Sequence, residues 1–442
     1  MADPARLLTF RILTKWQRSD RYIDRILQYE LNRSSLESQG RNWVTEVVLG
    51  TTRHQLHLDF LIQRVFKGNY KKAQMEIKSL LRMGCYQLRF METPTYAAVN
   101  EMVALTKVVK LTKASGLVNA VLRKVAALDL GQALDDAGVQ GTRRLSIEMS
   151  HPEWLLDRWI QRLDEAAVRA RCDYNNTAPK SWIRYNALKV DRETWESFLS
   201  DLGMAWQRHQ QFPDFYEVAH AGALFQSKAN HDGWFTVQDV AAGLAPRVLA
   251  PQSNDTVLDL CAAPGGKSTY LVELAGGEAQ VIAYDTAQVR LEQMELNFKR
   301  LGHPGLEAVA GDVTKIPLPK ADKILLDVPC SGTGVLNRRA DLRWHRRPED
   351  IQDLVDIQRQ MLENAWRSLK PGGTLVYSTC TLEPEENWEQ IRSFLEREPS
   401  ADIEPSNDEQ LQPFIDKNGA IVTLPERDRM DGMYVVRLRK QI

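Results

Sequence analysis

The stretch Val257 to Thr269, VLDLCAAPGGKST, constrains this chain more than any other. Val257, Leu258 and Leu260 form an apolar run of strand type, a Pro-Gly-Gly turn ends it, and Ser268 to Ala275 continues as a helix-compatible segment. Gly265 and Gly266 carry no Cβ, so backbone can approach a ligand closely, and the N–H groups opening the helix face whatever lies at the strand's carboxyl end. A tight strand-to-helix turn that uses glycine only for its geometry would leave the same mark. The neighbouring segments favour a nucleoside site. Val281 to Tyr284 reads as a second short strand with Asp285 at its carboxyl end, one βαβ unit after Asp259, where an acid accepts hydrogen bonds from ribose hydroxyls. The loop is not G-x-G-x-x-G, and no glycine stands five positions ahead of Gly266-Lys267-Ser268 as a Walker loop requires, so dinucleotide and ATP sites lose ground.

A chain of 442 residues is too long for one ordinary domain, and two or three are expected. The formal charge of −1 says little, but its distribution says more: residues 1–150 hold 23 Lys and Arg against 14 Asp and Glu, leaving 34 against 44 for the rest. A basic first third suits contact with a phosphate backbone, although a solvated helix surface would have the same composition. The five cysteines, Cys85, Cys172, Cys261, Cys330 and Cys380, are odd in number and hold no C-x-x-C pair, which favours neither a disulfide framework nor a zinc site and fits a reducing cytoplasm. Pro4, Arg6 and Arg11 interrupt the opening residues, so no signal peptide is expected, and no run of eighteen apolar residues suggests a membrane span.

Seven amphipathic segments lead the chain: Pro4 to Gln17, Tyr22 to Leu31, Arg41 to Arg53, His57 to Arg64, Lys71 to Phe90, Ala97 to Lys110 and Ser115 to Ala127. Apolar residues recur at three and four, as at Leu80, Leu81, Cys85 and Leu88, which predicts an all-α domain with Cys85 in its core. Leu128 to Gly141 reads as a linker, Ser150 as the cap of a following helix, Cys172 to Asn176 as a turn and Pro179 to Asn186 as a strand. Further on, Glu307 to Ala310 is a strand ending in Gly311-Asp312, Lys323 to Leu326 a buried strand ending in Asp327-Val328-Pro329-Cys330, and Thr374 to Tyr377 a strand ending in Ser378-Thr379-Cys380. Both thiols therefore fall at the carboxyl edge of one open sheet, beside the glycine loop. Arg338 to Arg347, RRADLRWHRR, is a basic loop around Trp344, suited to phosphate contact and base stacking or else a solvated charge run. Glu383, Glu385 and Glu386 complement the dipole of a helix start.

CAAPGGK (Cys261 to Lys267), DVPCSGTG (Asp327 to Gly334), STCTLEPEEN (Ser378 to Asn387) and DGMYVVRL (Asp431 to Leu438) resemble, in order, the motif series of the S-adenosylmethionine-dependent RNA cytosine-C5 methyltransferases. The segments LGTTRHQLHLDFLI, LLRMGCYQLRF, PTYAAVNEMV and GLVNAVLRK resemble the NusB-like RNA-binding domain. The resemblance implies three parts: an all-α NusB-like domain at 1–140, a small α+β connecting domain at 150–235, and an α/β class I (Rossmann-like) methyltransferase core at 236–442 with a mostly parallel seven-stranded sheet.

S-adenosyl-L-methionine is the implied cofactor, held by Cys261, Ala262, Ala263, Pro264, Gly265, Gly266, Lys267, Asp285, Asp312 and Asp327, with Asp312 facing the adenine amino group and no metal. Cytosine C5 is barely nucleophilic, so a thiolate must first add to C6. By the resemblance Cys380 is the nucleophile, Cys330 assists elimination or release, and Asp327 contacts N3 and the amino group. Arg53, Lys107, Lys110, Lys113, Arg123 and Lys124 are the implied phosphate contacts, and Arg184 and Asn186 either touch RNA or support a sheet edge. The implied activity is 5-methylcytosine formation in 16S ribosomal RNA, at cytidine 967, by a cytoplasmic monomer that binds neither DNA nor membrane. Transfer RNA as substrate is the near alternative, and a non-catalytic NusB-like RNA-binding factor the distant one.

Overall fold

The computed structural model describes residues 3–219, 221–303 and 305–442. By its contacts the chain divides into two units, one running to Thr177 and taking up Leu336–Arg346, the other holding Ala178–Val335 and Arg347–Ile442. The first is helical, as the periodicity predicts. Helices Pro4–Trp16, Ile23–Asn32, Ser38–Arg53, Gln55–Val65, Met75–Phe90, Thr95–Val108 and Ser115–Ala126 enclose a core in which Leu80, Leu81 and Cys85 meet Val44, Leu58, Met102 and Leu122. Among the described residues no helix is long and apolar enough to cross a membrane.

Three local expectations change here. The segment read as a linker contains a helix, Leu130–Asp135, whose first turn is capped by Asp129 through the Gln132 N–H at 2.8 Å. Ser150 does not cap the helix Glu153–Ile160; it takes a left-handed conformation at the end of helix Gly141–Met149, and its hydroxyl accepts from the Leu56 N–H. The turn expected at Cys172 to Asn176 is instead the close of helix Glu165–Asn175, whose Val168 and Cys172 share a small core with Leu145, Leu155, Leu156, Trp159, Leu336 and Leu342.

That core explains the basic loop. Arg343 is buried, and its guanidinium donates to the Ser150 carbonyl at 3.0 Å, the Asn175 carbonyl at 3.1 Å and Asn176 Oδ1 at 2.9 Å. Burial and the nearby Arg53 charge bring its pKa down to about 9. Trp344 packs against the helical core and donates its indole N–H to the Thr52 carbonyl at 2.7 Å. Arg53 is also buried and donates to the Asn337 carbonyl. These three side chains serve the interior and are not an RNA surface. Lys107, Lys110, Lys113, Arg123 and Lys124 are exposed, as a phosphate-binding role requires.

The second unit contains two sheets. Strands β1 (Trp182–Tyr185), β2 (Trp206–Arg208), β3 (Phe215–Val218) and β4 (Phe235–Val237) form an antiparallel sheet in the order β2-β3-β1-β4. The larger sheet consists of β5 (Thr256–Leu260), β6 (Gln280–Asp285), β7 (Leu306–Ala310), β8 (Ala321–Asp327), β9 (Leu369–Thr379), β10 (Ala401–Ile403), β11 (Ile421–Thr423) and β12 (Met433–Lys440). Its order is β10-β12-β9-β8-β5-β6-β7, with β11 also on β12, and strands β5 to β9 are mutually parallel. There is one strand more than expected, because Ala401–Ile403 pairs antiparallel with the end of β12. Apolar side chains line both faces of β5, whose Val257 and Leu258 enter different core clusters, as a central parallel strand requires.

Arg184 and Asn186 hold this unit together and do not face solvent. The Arg184 guanidinium is fully buried and bidentate with Glu273, both contacts 2.9 Å, and it donates further to Gln238, the Gly266 carbonyl and Thr269 while lying 4.3 Å from the Tyr270 ring centroid. Asn186 donates to the carbonyls of Gly233 and Leu301. The hydrogen bonds from Arg184 to Gly266 and Thr269 brace the helix that follows the glycine loop from behind. Removing one member of a buried ion pair strands the other charge. Arg184→Ala is therefore expected to destabilise this unit by about 3–5 kcal/mol, seen as a lower urea midpoint, with the apolar pair Arg184→Met/Glu273→Leu costing less than the single change.

Candidate active site

Strand β5 ends at Leu260, and the loop that follows turns back sharply enough to need unusual backbone. Cys261 has φ +69° and Gly265 φ +95°. A Cβ at Gly265 would lie 2.8 Å from the Phe298 ring and 3.3 Å from Met294, so both conformation and space demand glycine there. Gly265 then caps the helix Gly266–Leu274. The Ala262 N–H donates to the Tyr284 carbonyl at 2.8 Å, fastening the loop to β6. Beneath it, Asp259 is wholly buried and accepts from Ser268 Oγ at 2.6 Å. Burial, opposed by the Ser268 hydrogen bond and reinforced by the charge of Asp327, pushes its pKa up to about 7.

Asp285, the last residue of β6, accepts from the N–H groups of Ala263 at 3.3 Å and Ala287 at 3.0 Å and pairs with Arg290 at 2.7 Å. Its carboxylate thus faces the same loop that carries the glycines. Asp312 follows β7, and the Gly311 N–H donates to the Asp285 carbonyl at 3.0 Å, bringing the two acids to adjacent strand ends. Asp312 also organises its own turn: Oδ1 accepts from the Thr314 N–H and hydroxyl, and Oδ2 pairs with Lys315 at 2.8 Å. Lys315 and Thr314 together hold its pKa down to about 2.

The parallel register of β8 and β9 sets Asp327 opposite Ser378. Ser378 Oγ donates to Asp327 Oδ1 at 2.7 Å, and Lys267 Nζ donates to Oδ2 at 2.8 Å. Burial works against the Lys267 ammonium, but the charge and hydrogen bond of Asp327, with Cys380 nearby, outweigh it and raise its pKa. Cys330 comes three residues after Asp327 and Cys380 two after Ser378, so both thiols leave the sheet at one level. Their sulfurs are 3.3 Å apart, and the Cys380 N–H donates to Cys330 Sγ at 3.3 Å. The hydrogen bond to Cys380, burial and the charge of Glu386 push the Cys330 thiol well above its ordinary value. Cys261 stands apart from them: its sulfur contacts Met361 Sδ at 3.9 Å, and burial raises its pKa.

The structure therefore gathers the glycine loop, Asp285, Asp312, Asp327, Cys330 and Cys380 at the carboxyl edge of β5 to β9. It gives Lys267, expected at the cofactor, a direct contact with Asp327, and it adds Ser378 and Glu386. Ser378 and Lys267 fix the two oxygens of Asp327, and alternation along β9 could have exposed Ser378. Glu386 is not a solvent-facing helix-dipole group: it is buried, and it accepts from the Ser331 N–H at 2.8 Å, the Ser331 hydroxyl at 2.5 Å and Gln358 at 2.9 Å. Two glycines close the arrangement. Gly334 donates its N–H to the Cys380 carbonyl at 3.0 Å and accepts from the Gly432 N–H at 2.8 Å, and a Cβ on Gly334 would stand 2.4 Å from the Gly432 carbonyl oxygen. Among the described residues no group of three or more His, Cys, Asp or Glu is arranged to hold a metal.

Three family descriptions match this chain in order: "NusB family" over residues 3–127, "Methyltr_RsmF/B-like, ferredoxin-like domain" over 151–222, and "16S rRNA methyltransferase RsmB/F" over 246–439. A protein named probable ribosomal RNA small subunit methyltransferase B from Synechocystis is 35% identical over 445 residues, covering 99% of each chain. The ribosomal RNA small subunit methyltransferase B of Cronobacter sakazakii is 35% identical and covers 90% of each. A solved methyltransferase homologue from Pyrococcus horikoshii has a TM-score of 0.59 at 26% identity, over 67% of this chain and 97% of its own. The fold is thus a NusB-like helical domain, a small ferredoxin-like domain and an S-adenosylmethionine-dependent methyltransferase domain. With relatives aligned along nine-tenths or more of both sequences, the chain belongs to the ribosomal RNA small subunit methyltransferase B family.

Proposed function

We propose that this enzyme uses S-adenosylmethionine to form 5-methylcytosine in 16S ribosomal RNA, at cytidine 967, through a covalent bond between Cys380 and C6 of the ring. The observation that carries the reading is the pair of thiols 3.3 Å apart beside an aspartate fixed by a lysine and a serine. An amino-directed methyltransferase has no use for two sulfurs there. C5 methylation does, because one thiol must add to the ring and leave it again.

The residues at the edge fit the cofactor. Asp285 keeps acceptor capacity for ribose hydroxyls, the helix opening at Gly266 presents N–H groups toward the sheet edge, and the glycine at 265 lets backbone approach closely. Asp312, partly exposed at the neighbouring strand end, accepts from the adenine amino group. Bound there, S-adenosylmethionine supplies an electrophilic methyl group on a sulfonium.

The target cytidine leaves its stack to enter the site. Cys380, as thiolate beside the Lys267 ammonium, adds to C6, and the electron pair displaced from the C5–C6 bond makes C5 nucleophilic. Asp327 accepts from the 4-amino group, and the proton that N3 gains passes from Lys267 through the carboxylate it contacts. After C5 is methylated, a water takes the C5 proton, the C5–C6 double bond re-forms as Cys380 leaves as thiolate, and the N3 proton returns through Asp327 to Lys267. Cys330, within hydrogen-bond reach of that sulfur, assists its departure. The exposed Lys107, Lys110, Lys113, Arg123 and Lys124 meet the RNA backbone. A substrate made and processed in the cytoplasm places the enzyme there, acting as a monomer.

Cys380→Ala should abolish methyl transfer to unmodified 16S RNA, while Cys330→Ala should accumulate a protein–RNA adduct that survives denaturing electrophoresis; an adduct absent from Cys330→Ala and present in Cys380→Ala would reverse the two roles. Asp285→Ala should weaken S-adenosylmethionine binding about ten- to a hundredfold by calorimetry, the loss of charge-assisted hydrogen bonds of about 1.5–3 kcal/mol. Bisulfite sequencing of total RNA from a deletion strain should lose the mark at cytidine 967. Loss confined to a transfer RNA, with the ribosomal site still methylated, would overturn the substrate assignment.

A further inference from the structure

Glu386 is fully buried, and every group hydrogen-bonded to its carboxylate is uncharged. A carboxylate buried without a cation is costly, and neutral donors offset the cost only in part. Its position gives the charge a use. Oε1 accepts from the Ser331 N–H at 2.8 Å and from Gln358 Nε2 at 2.9 Å, and the same Gln358 nitrogen donates to the Pro329 carbonyl at 2.9 Å. The residues on both sides of Cys330 are therefore anchored to one acid. Oε2 accepts from Ser331 Oγ at 2.5 Å, and that hydroxyl lies 2.6 Å from Thr381 Oγ1, the side chain directly after Cys380. One carboxylate thus ties the turn of the first thiol to the turn of the second.

We propose that Glu386 is a positioning residue that decides which of the two thiols reacts, by anchoring through Ser331 the turn that carries Cys330 and by setting a buried negative charge behind it. The charge disfavours a second negative charge on Cys330, so the shared proton stays there. On the other side, the Lys267 ammonium is held by Asp327, whose second oxygen accepts from Ser378, two residues before Cys380. The other ionisable neighbours have contacts of their own: Glu383 is buried and accepts from the Thr333 hydroxyl. Tyr377, from β9, is buried and donates to the Glu386 carbonyl, and Asp327, from β8, is already paired with Lys267. Burial and the Ser331 and Gln358 contacts act oppositely on Glu386 itself, and burial prevails, raising its pKa. The inference rests on the reading of Cys380 as nucleophile, but the order of thiol reactivity can be measured without RNA.

The test is alkylation of the full-length protein with limiting iodoacetamide between about pH 6 and pH 9, spanning the ordinary thiol value, with modification at each cysteine quantified by peptide mass spectrometry. Cys330 and Cys380 are both partly exposed residues, and alkylation of the protein unfolded in urea gives the accessibility-free reference for each. In the unsubstituted protein Cys380 should react about tenfold or more faster than Cys330 at neutral pH. Glu386→Gln should speed Cys330 and reduce that ratio by about tenfold, the effect of lowering one thiol pKa by a single unit. Glu386→Asp, which keeps the charge, should retain the original order, a rescue that a purely structural role would not produce. Equal rates in the unsubstituted protein, or an unchanged ratio in a folded Glu386→Gln, would overturn the proposal. Should Glu386→Gln fail to fold, the unsubstituted rate order and Glu386→Asp decide. Faster alkylation of Cys380 together with no RNA adduct in any cysteine variant would support the role of Glu386 and sink the proposed reaction instead.

Discussion

The site depends on the parallel pairing of β8 with β9. That register sets Asp327 against Ser378, and from those two residues the chain needs only three and two further positions to reach its cysteines. A shift by one residue would turn Asp327 and Ser378 to the opposite face of the sheet and separate the thiols. Both strands are buried between apolar layers, with Leu325 and Val376 on one side and Ile324, Leu326, Leu375 and Tyr377 on the other, and this burial fixes the register. The chemistry at the edge is thus a product of core packing well below it. The lysine that completes the group comes from the next strand over, β5, through a loop whose conformation only glycine at 265 permits.

Much of this was legible in the residues because the signals are local. A glycine turn after an apolar run, an acid at a strand end and a thiol after a short strand each mark their own position, and parallel topology sends all such ends to one edge. The helical unit was equally readable from the spacing of Leu80, Leu81 and Cys85. Ranges of elements were less so. The helix at Leu130–Asp135 hides in a segment whose glycines and aspartates suggest a linker, and Asp129 is its cap and not a breaker.

Arginine was the residue type that misled. Arg53, Arg184 and Arg343 have the composition of an RNA-binding surface, yet all three are buried and each satisfies carbonyls or carboxylates inside its unit. A guanidinium offers five donors in a planar fork, which suits a cluster of backbone carbonyls as well as it suits a phosphate. Sequence shows the cation and not its acceptors. Arg184 differs from Arg343 in one instructive way: Glu273 balances its charge, whereas Arg343 rests on neutral oxygens and has its pKa lowered accordingly. Glu386 is the acidic counterpart, a charge whose donors come from two residues, Ser331 and Gln358, distant from it in the chain, and so leave no periodic trace.

The contact of Gly334 with Gly432 carries a temporal consequence. These residues lie almost a hundred positions apart, and their bare backbones touch where any side chain would intrude. The amide that steadies the Cys380 carbonyl belongs to Gly334, whose own carbonyl waits for Gly432. A chain assembled only as far as Cys380 therefore has both sulfurs but lacks Gly432, whose N–H donates to the Gly334 carbonyl. Such distant pairings are among the slowest to form. The turn that carries the two sulfurs is thereby completed only when the sheet has received its antiparallel strand β12.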